Sequence, residues 1–459
     1  MTRLSIISRI ALLGLGALSC FALLPAAPRA EWKAGIATVD ITPTEPIWMA
    51  GYAARKHPSE GVAQPLHAKA LALEDMRGNR CVIITSDLLG FPRAVSEPIA
   101  DKIRQLHGLR RDQVLFTSSH SHSGPVIRES LISMYPLDAA QAAAIRAYTD
   151  RLQTLVADAV AAALKDLAPA QLSLGRGRAE FGINRRLMKD NRYTIDVNPE
   201  GPVDHDVPVL RVTGADGRLR AVLFSYACHN TTLGADNYRL HGDYAGVAQE
   251  ELERTYPGVV ALFFLGCGAD ANPNPRGTME LVGAHGHSLA QAVQETLSKP
   301  MRPVRGPLRT AFDRVDLPFA TPPSREQLQA RLQNPDIYVQ RHARSLLEEL
   351  DRNGQLRSTY PYPISVVRLG KDLTLVALAG EVVVDYTLRL RRELKPPEKL
   401  WVAGYSNDVF AYIASKRVLA EGGYEADTSM IYYGQTGPWD PAVEDIIVGK
   451  VLQMVKGLH

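Results

Sequence analysis

The sequence predicts an α/β fold, a mixed β-sheet core flanked by helices. Three features lead to it. Short apolar runs bounded by small or turn-forming residues recur along the chain; helical stretches with an apolar period near 3.6 separate them; and no internal repeat or long low-complexity linker interrupts the alternation beyond the N-terminal segment. With 459 residues, 46% hydrophobic and 22% charged, the chain has ordinary globular composition and ample apolar side chains for a large core. Those proportions exclude a disordered, collagen-like or polytopic membrane protein.

At the N-terminus, Arg3 and Arg9 precede an apolar run from Ile10 to Leu24 that ends in "PAAPRA". This pattern reads as a secretory signal peptide over residues 1–30, because the run is too short and too rich in Gly and Ala for a membrane span. Cys20 in "ALSC" invites lipid attachment, but Ala17 stands where that signal favours leucine. The expected location is periplasmic or secreted, with residues 31–459 forming one domain. Cleavage removes three of the 52 basic residues and no acid, leaving 49 to face 49 acidic ones. No basic field remains to bind nucleic acid or an anionic membrane. Cys81, Cys228 and Cys267 allow at most one disulfide and include no closely spaced zinc-binding pair.

The apolar runs "CVIITSDLLG" (81–90), "QVLFTSS" (113–119), "PVLRVTG" (208–214), "AVLFSYACH" (221–229) and "VVALFFLGCG" (259–268) predict strands. Between the second and third, residues 139–167 predict the clearest helix. Its Ile145, Tyr148, Leu152, Leu155, Val156 and Val160 recur at helical spacing and form one core-facing stripe. Ser324 and Gln327 make a capping-box pattern for a later helix, which Pro335 breaks before "DIYVQRHARSLLEEL" resumes. The proline-rich stretches "KPMRPVRGP" and "PFATPPS" read as the borders of an excursion within the domain.

Function is sought among the histidines. In "FTSSHSHSGP" His120 and His122 are one residue apart at the end of an apolar run, so in an extended strand both would face the same way. That pair alone admits a metal site, an acid–base pair or polar residues at a loop. His229 ends a second apolar run, the place where α/β folds commonly deliver functional side chains, and His241 follows in a similar setting. Glu381 follows the apolar run of "LTLVALAGEVVVDY", as a metal ligand or as a helix-start acid. His285 and His287 look like part of a helix start. His57, His67, His107, His342 and His459 read as surface or structural residues. HExxH, GxSxG, Walker A and dinucleotide-binding glycine patterns are missing from residues 31–459, and "GCGAD" lacks a third glycine.

The motifs "AGIATVDITP", "SSHSHSGP", "GINRRL", "ACHNTTLG", "GCGADANPNPRG", "AGEVVVDY" and "YSNDVFAYIASKRVLAEGGYE" occur in an order that resembles the catalytic domain of the neutral (non-lysosomal) ceramidase family. The resemblance implies an amide hydrolase whose Zn²⁺ is held by His120, His229, Glu381 and Tyr412. It implies that His122 transfers a proton beside the metal-bound water, and that Arg185 of "NR" and Tyr424 of "GYE" hold the substrate. The family's serine in "GDVSPN" is replaced by Asn272 in "ADANPN", where an amide can orient substrate or donate to an oxyanion but cannot act as nucleophile. Against the family's full length, no C-terminal immunoglobulin-like domain is expected in this sequence. The expected function is therefore exported, zinc-dependent hydrolysis of a linear N-acyl amide, small or lipid-like. The alternatives are a zinc-dependent esterase or cyclic-amide hydrolase, or a non-catalytic binding protein.

Overall fold

The computed structural model describes residues 31–131 and 133–458. The expected signal peptide and His459 lie outside them. Among the described residues, no helix is long and apolar enough to cross a membrane.

The principal sheet has nine strands. Its hydrogen-bonded order runs Val260–Leu265, Leu219–Tyr226, Asp206–Gly214, Ala168–Arg178, Trp32–Asp40, His67–Asp75, Arg80–Ser86 and Val114–Phe116, with Arg302–Val304 paired to Ala168–Arg178. The outermost pair at each end is parallel and the pairs between are antiparallel, so the sheet is mixed, as the sequence predicts. All five apolar runs lie in it.

The sheet curls. Its first and last strands are farthest apart in the pairing order, yet Leu265 N–H donates to the Ser118 carbonyl at 3.1 Å, and Ser121 bridges Asn230. Helices cover the outside. Arg93–His107 and Ala139–Lys165 pack over one half, and Asp243–Thr255 and Met279–Ser298 over the other. On the long helix Ile145, Tyr148, Leu152, Val156 and Val160 are buried, and Leu155 is half-buried at the edge of the stripe.

A second sheet, Leu308–Pro318, Thr359–Leu369, Leu373–Leu378 and Leu400–Ala403, packs against the inner face of the first, where Leu375 and Trp401 join Leu115, Leu223 and Leu262 in one core. The proline-rich segment 299–307 supplies the edge strand Arg302–Val304 to the first sheet and then leads into the second. Helices Arg325–Arg331 and Ile337–Asn353 form the excursion. Ser324 and Gln327 close the capping box, and Asp336 caps the helix that resumes after Pro335. Cys81, Cys228 and Cys267 are buried free thiols.

Candidate metal centre and active site

Four loops meet where the curled sheet closes. Ladder bonds carry the chain past Phe116, through Thr117 and Ser119, to His120. There the backbone turns left-handed, with φ 57°, a sparsely populated conformation for a non-glycine residue. The convergence of His120 and His122 therefore comes from this kink rather than from the strand alternation expected from sequence. Their Nε2 atoms are 3.1 Å apart.

His229 comes from the other side of the seam, three residues after Tyr226, and its N–H is tied to the Ala271 carbonyl. Glu381 belongs to the two-residue strand Glu381–Val382, and the next helix starts only at Asp385, so it is no helix-start acid. That strand pairs in parallel with Tyr412–Ile413 in a register that puts Glu381 beside Tyr412. A four-atom cluster results. Glu381 Oε2 is 3.1 Å from both His120 Nε2 and His229 Nε2, and His229 Nε2 is 3.2 Å from Tyr412 Oη.

These donors fit a metal ion. Ligands held about 2.0–2.1 Å from a tetrahedral zinc stand about 3.3 Å from one another, close to the separations here. The far sides of the rings are arranged accordingly. His120 Nδ1–H donates to the Leu89 carbonyl at 2.6 Å and His229 Nδ1–H to the Gly268 carbonyl at 3.0 Å, which leaves both Nε2 lone pairs facing the cluster. Gly268 permits this approach, since a Cβ there would lie 2.4 Å from the Ala227 carbonyl carbon. Tyr433 Oη donates to Glu381 Oε1. Burial opposes ionisation of Glu381, but His120 and His229 hold its pKa well below the usual carboxylate range. Burial pushes His229 down to about 4, with the charge of Arg185 acting in the same direction.

His122 lies in the same triad of imidazoles but differs in one respect. Its Nδ1 is buried without a partner. Gly51, at φ 93°, packs so closely that a Cβ would fall 2.2 Å from that nitrogen, and the Tyr52 ring stands 4.9 Å away. Burial, reinforced by His120 and His229, holds the His122 pKa well below the usual histidine value. The ring is therefore held neutral, with a lone pair able to accept a proton.

Arg185 links the cluster to the surface. Its Nη2 donates to Tyr412 Oη at 3.0 Å, Nη1 to Asn272 Oδ1 at 3.2 Å and Nε to Glu425 Oε1 at 2.8 Å. Burial favours the neutral guanidine, but Tyr412 and Glu425 keep the group charged with a raised pKa. Asn272 sits in the short strand Ala271–Pro273 rather than in a turn, and is half-buried. Because arginine only donates, its contact fixes the amide oxygen toward Arg185 and leaves Nδ2 as the outward donor. Tyr424 stacks edge-on against Tyr412, centroids 5.4 Å apart, with the Arg185 guanidinium 5.8 Å from its ring.

The eight residues named through the resemblance thus lie in one connected group. His241 does not join it; its Nδ1 accepts from the Asp243 N–H. His285 and His287 lie inside helix Met279–Ser298, bonded to the Pro275 carbonyl and to Glu251. Sequence reasoning missed Tyr52, Tyr433 and Glu425. Glu425 stood inside the quoted "GYE", but nothing marked it as the acid that anchors Arg185; the other two carried no local signal.

Comparison with known proteins places the chain in a family. Residues 32–314 match the family described as neutral/alkaline non-lysosomal ceramidase, N-terminal. Neutral ceramidase A of Dictyostelium discoideum is 26% identical over 271 residues, 54% of this chain and 36% of that protein. Neutral ceramidase of Pseudomonas aeruginosa is 25% identical over 276 residues, 56% of this chain and 40% of that protein. The chain thus covers well under half the length of these curated relatives. A crystal structure of neutral ceramidase from Pseudomonas aeruginosa superposes with a TM-score of 0.71 at 19% identity, covering 92% of this chain and 74% of that one, which shows a shared fold. The matched segment spans more than half of the sequence and includes the loops that carry His120, His229 and Asn272, so the chain belongs to the neutral/alkaline non-lysosomal ceramidase family.

Proposed function

We propose that residues 31–459 form the catalytic unit of an exported, metal-dependent hydrolase that cleaves a linear N-acyl amide. Zinc is held by His120, His229, Glu381 and Tyr412. The observation that carries this reading is the pair of buried imidazoles whose Nδ1–H groups are committed to backbone carbonyls, with both Nε2 atoms about a ligand spacing from Glu381. Bound zinc supplies a Lewis acid that polarises the amide carbonyl and lowers the pKa of water to roughly 7.

The protein side chains do the rest. His122 has no carbonyl fixing its Nδ1, unlike His120 and His229, which suits a ring that exchanges protons rather than one locked as a ligand. It takes the proton released as water oxygen bonds to the carbonyl carbon, and delivers it to the nitrogen as the C–N bond breaks. The products are a carboxylic acid and an amine. Arg185 and Tyr424 hold the substrate, and the outward Nδ2 of Asn272 donates to the carbonyl oxygen as negative charge develops on it.

Attack occurs in one step, without an acyl-enzyme. Asn272 is no nucleophile, burial pushes the Cys267 thiol up to about 12, and a covalent intermediate trapped on Ser119, Ser123 or Cys267 would overturn this mechanism. The test is metal analysis with a panel of N-acyl amides and esters. About one zinc per chain and chelator-sensitive amide cleavage are expected, both lost in His120→Ala and His229→Ala. Metal content that survives both substitutions would sink the assignment, and cleavage of esters alone would reassign the reaction.

A further inference from the structure

Beside the metal cluster, a cavity of about 240 Å³ opens between the hairpin Gly182–Lys189/Arg192–Asn198 and the segment 272–276. Its floor is Arg185 and Asn272, so its inner end lies one side chain from Tyr412. Ile183, Ile195, Val197 and Pro273 give it an apolar wall. Arg276 stands at its outer, exposed end.

Arg276 is held on a firmly anchored loop. Asn274 N–H donates to the Phe181 carbonyl at 2.8 Å, the Pro275 carbonyl accepts from His285 Nε2 at 2.7 Å, and Gly277 N–H donates to the Thr232 carbonyl at 2.7 Å. The guanidinium itself is scarcely used. It makes one long contact, Nη1 to Thr231 Oγ1 at 3.4 Å, and no ion pair with any described residue. Thr231 Oγ1 is in turn 3.5 Å from Asn272 Oδ1, so one hydroxyl separates the free cation from the proposed oxyanion donor. The charge on Arg185 is already balanced by Glu425. Asp196, which also lines the cavity, turns a carboxylate oxygen back onto the Val197 N–H at 2.8 Å.

We propose that Arg276 is a specificity determinant that recognises a carboxylate on the substrate, so that the preferred substrates are N-acylated amino acids: an acyl chain on the apolar wall and a carboxylate a few bonds from the scissile amide. A cation left without a counter-ion at the mouth of a partly apolar cavity selects an anion, and guanidinium matches carboxylate with two parallel hydrogen bonds. The inference rests on the amide-hydrolase reading for its chemistry but not for its binding step.

The test compares N-lauroylglycine with neutral N-lauroylethanolamine on the metal-loaded enzyme, and measures binding of N-lauroylglycine to the metal-free protein by calorimetry. Wild type should favour the carboxylate substrate in kcat/KM by about tenfold or more, the order one charge-assisted hydrogen bond supplies. Arg276→Gln should abolish that ratio mainly through KM and weaken N-lauroylglycine binding to a similar degree, and Arg276→Lys should restore part of both. Hydrolysis of both amides with a ratio indifferent to Arg276→Gln, or a preference for an ammonium-bearing amide, would overturn this proposal and leave the hydrolase reading standing. If neither amide is cleaved, the hydrolase reading fails and calorimetry decides: binding insensitive to Arg276→Gln overturns the carboxylate site as well.

Discussion

Glu425→Gln is expected to unseat Arg185 while changing almost nothing in shape. The Glu425 side chain is 1% exposed and serves two arginines, Arg185 Nε at 2.8 Å and Arg186 Nη1 at 2.5 Å, whose side chains are 7% and 2% exposed. Burial favours its neutral form, but Arg185 and Arg186 hold its pKa below the usual glutamate value. Glutamine would put an NH₂ donor against one of two groups that can only donate. Removing one partner of a buried ion pair costs about 3–5 kcal/mol, because it strands the other charge. Arg186 keeps Glu421 at 3.1 Å, whereas Arg185 keeps no carboxylate in hydrogen-bond range, so one stranded charge sets the scale: a loss of about 3 kcal/mol. Urea unfolding of the metal-free protein reads this as a lowered midpoint at unchanged slope. Glu421→Gln, in a more exposed pair, provides the control, at less than about 1 kcal/mol. A Glu425→Gln loss no larger than that of Glu421→Gln would refute the account of Arg185 as a guanidinium held in place by a single buried acid.

Two further outcomes are expected. His122→Ala should retain zinc while turnover falls by about 10²–10⁴, the usual contribution of a proton-transfer group; metal and activity lost together would make His122 a ligand. Asp270, buried near Asn184 and the Val384 N–H, has its pKa raised by burial to about 7. Between the ordinary carboxyl value of about 4 and pH 7 the folded protein keeps a proton that the unfolded chain has released, so this residue makes stability fall as pH rises, by about 1.4 kcal/mol per unit, and level off above 7. Chelator-treated Asp270→Asn should lack that component. Stability–pH curves that run parallel to wild type would contradict it.

The sequence announced what depends on neighbours along the chain. The five apolar runs became strands, Pro335 divided the two helices, and Ser324 with Gln327 capped the first. His120, His229 and Glu381 were legible because each polar side chain ends an apolar run. Tyr412 was reached only through resemblance, since its place beside Glu381 depends on a two-residue register formed across 31 positions of sequence. The shared direction of His120 and His122 was anticipated for the wrong reason, because a left-handed residue does what strand alternation was expected to do. Tyr52 and Tyr433 carry no pattern at all, and Arg276, although it stood inside the quoted "GCGADANPNPRG", was marked there by nothing of its own; only the curling of the sheet gives them neighbours.

That curling has a mechanical side. His120 extends from the last strand of the principal sheet, and His229 from the strand next to the first, so the two imidazoles stand on opposite banks of the seam joined by Leu265 and Ser118. An ion gripped by both would act as a rivet through that seam. Its release would then require the banks to part, and the rate at which a chelator strips the protein would report how often the sheet uncurls rather than how tightly four ligands bind.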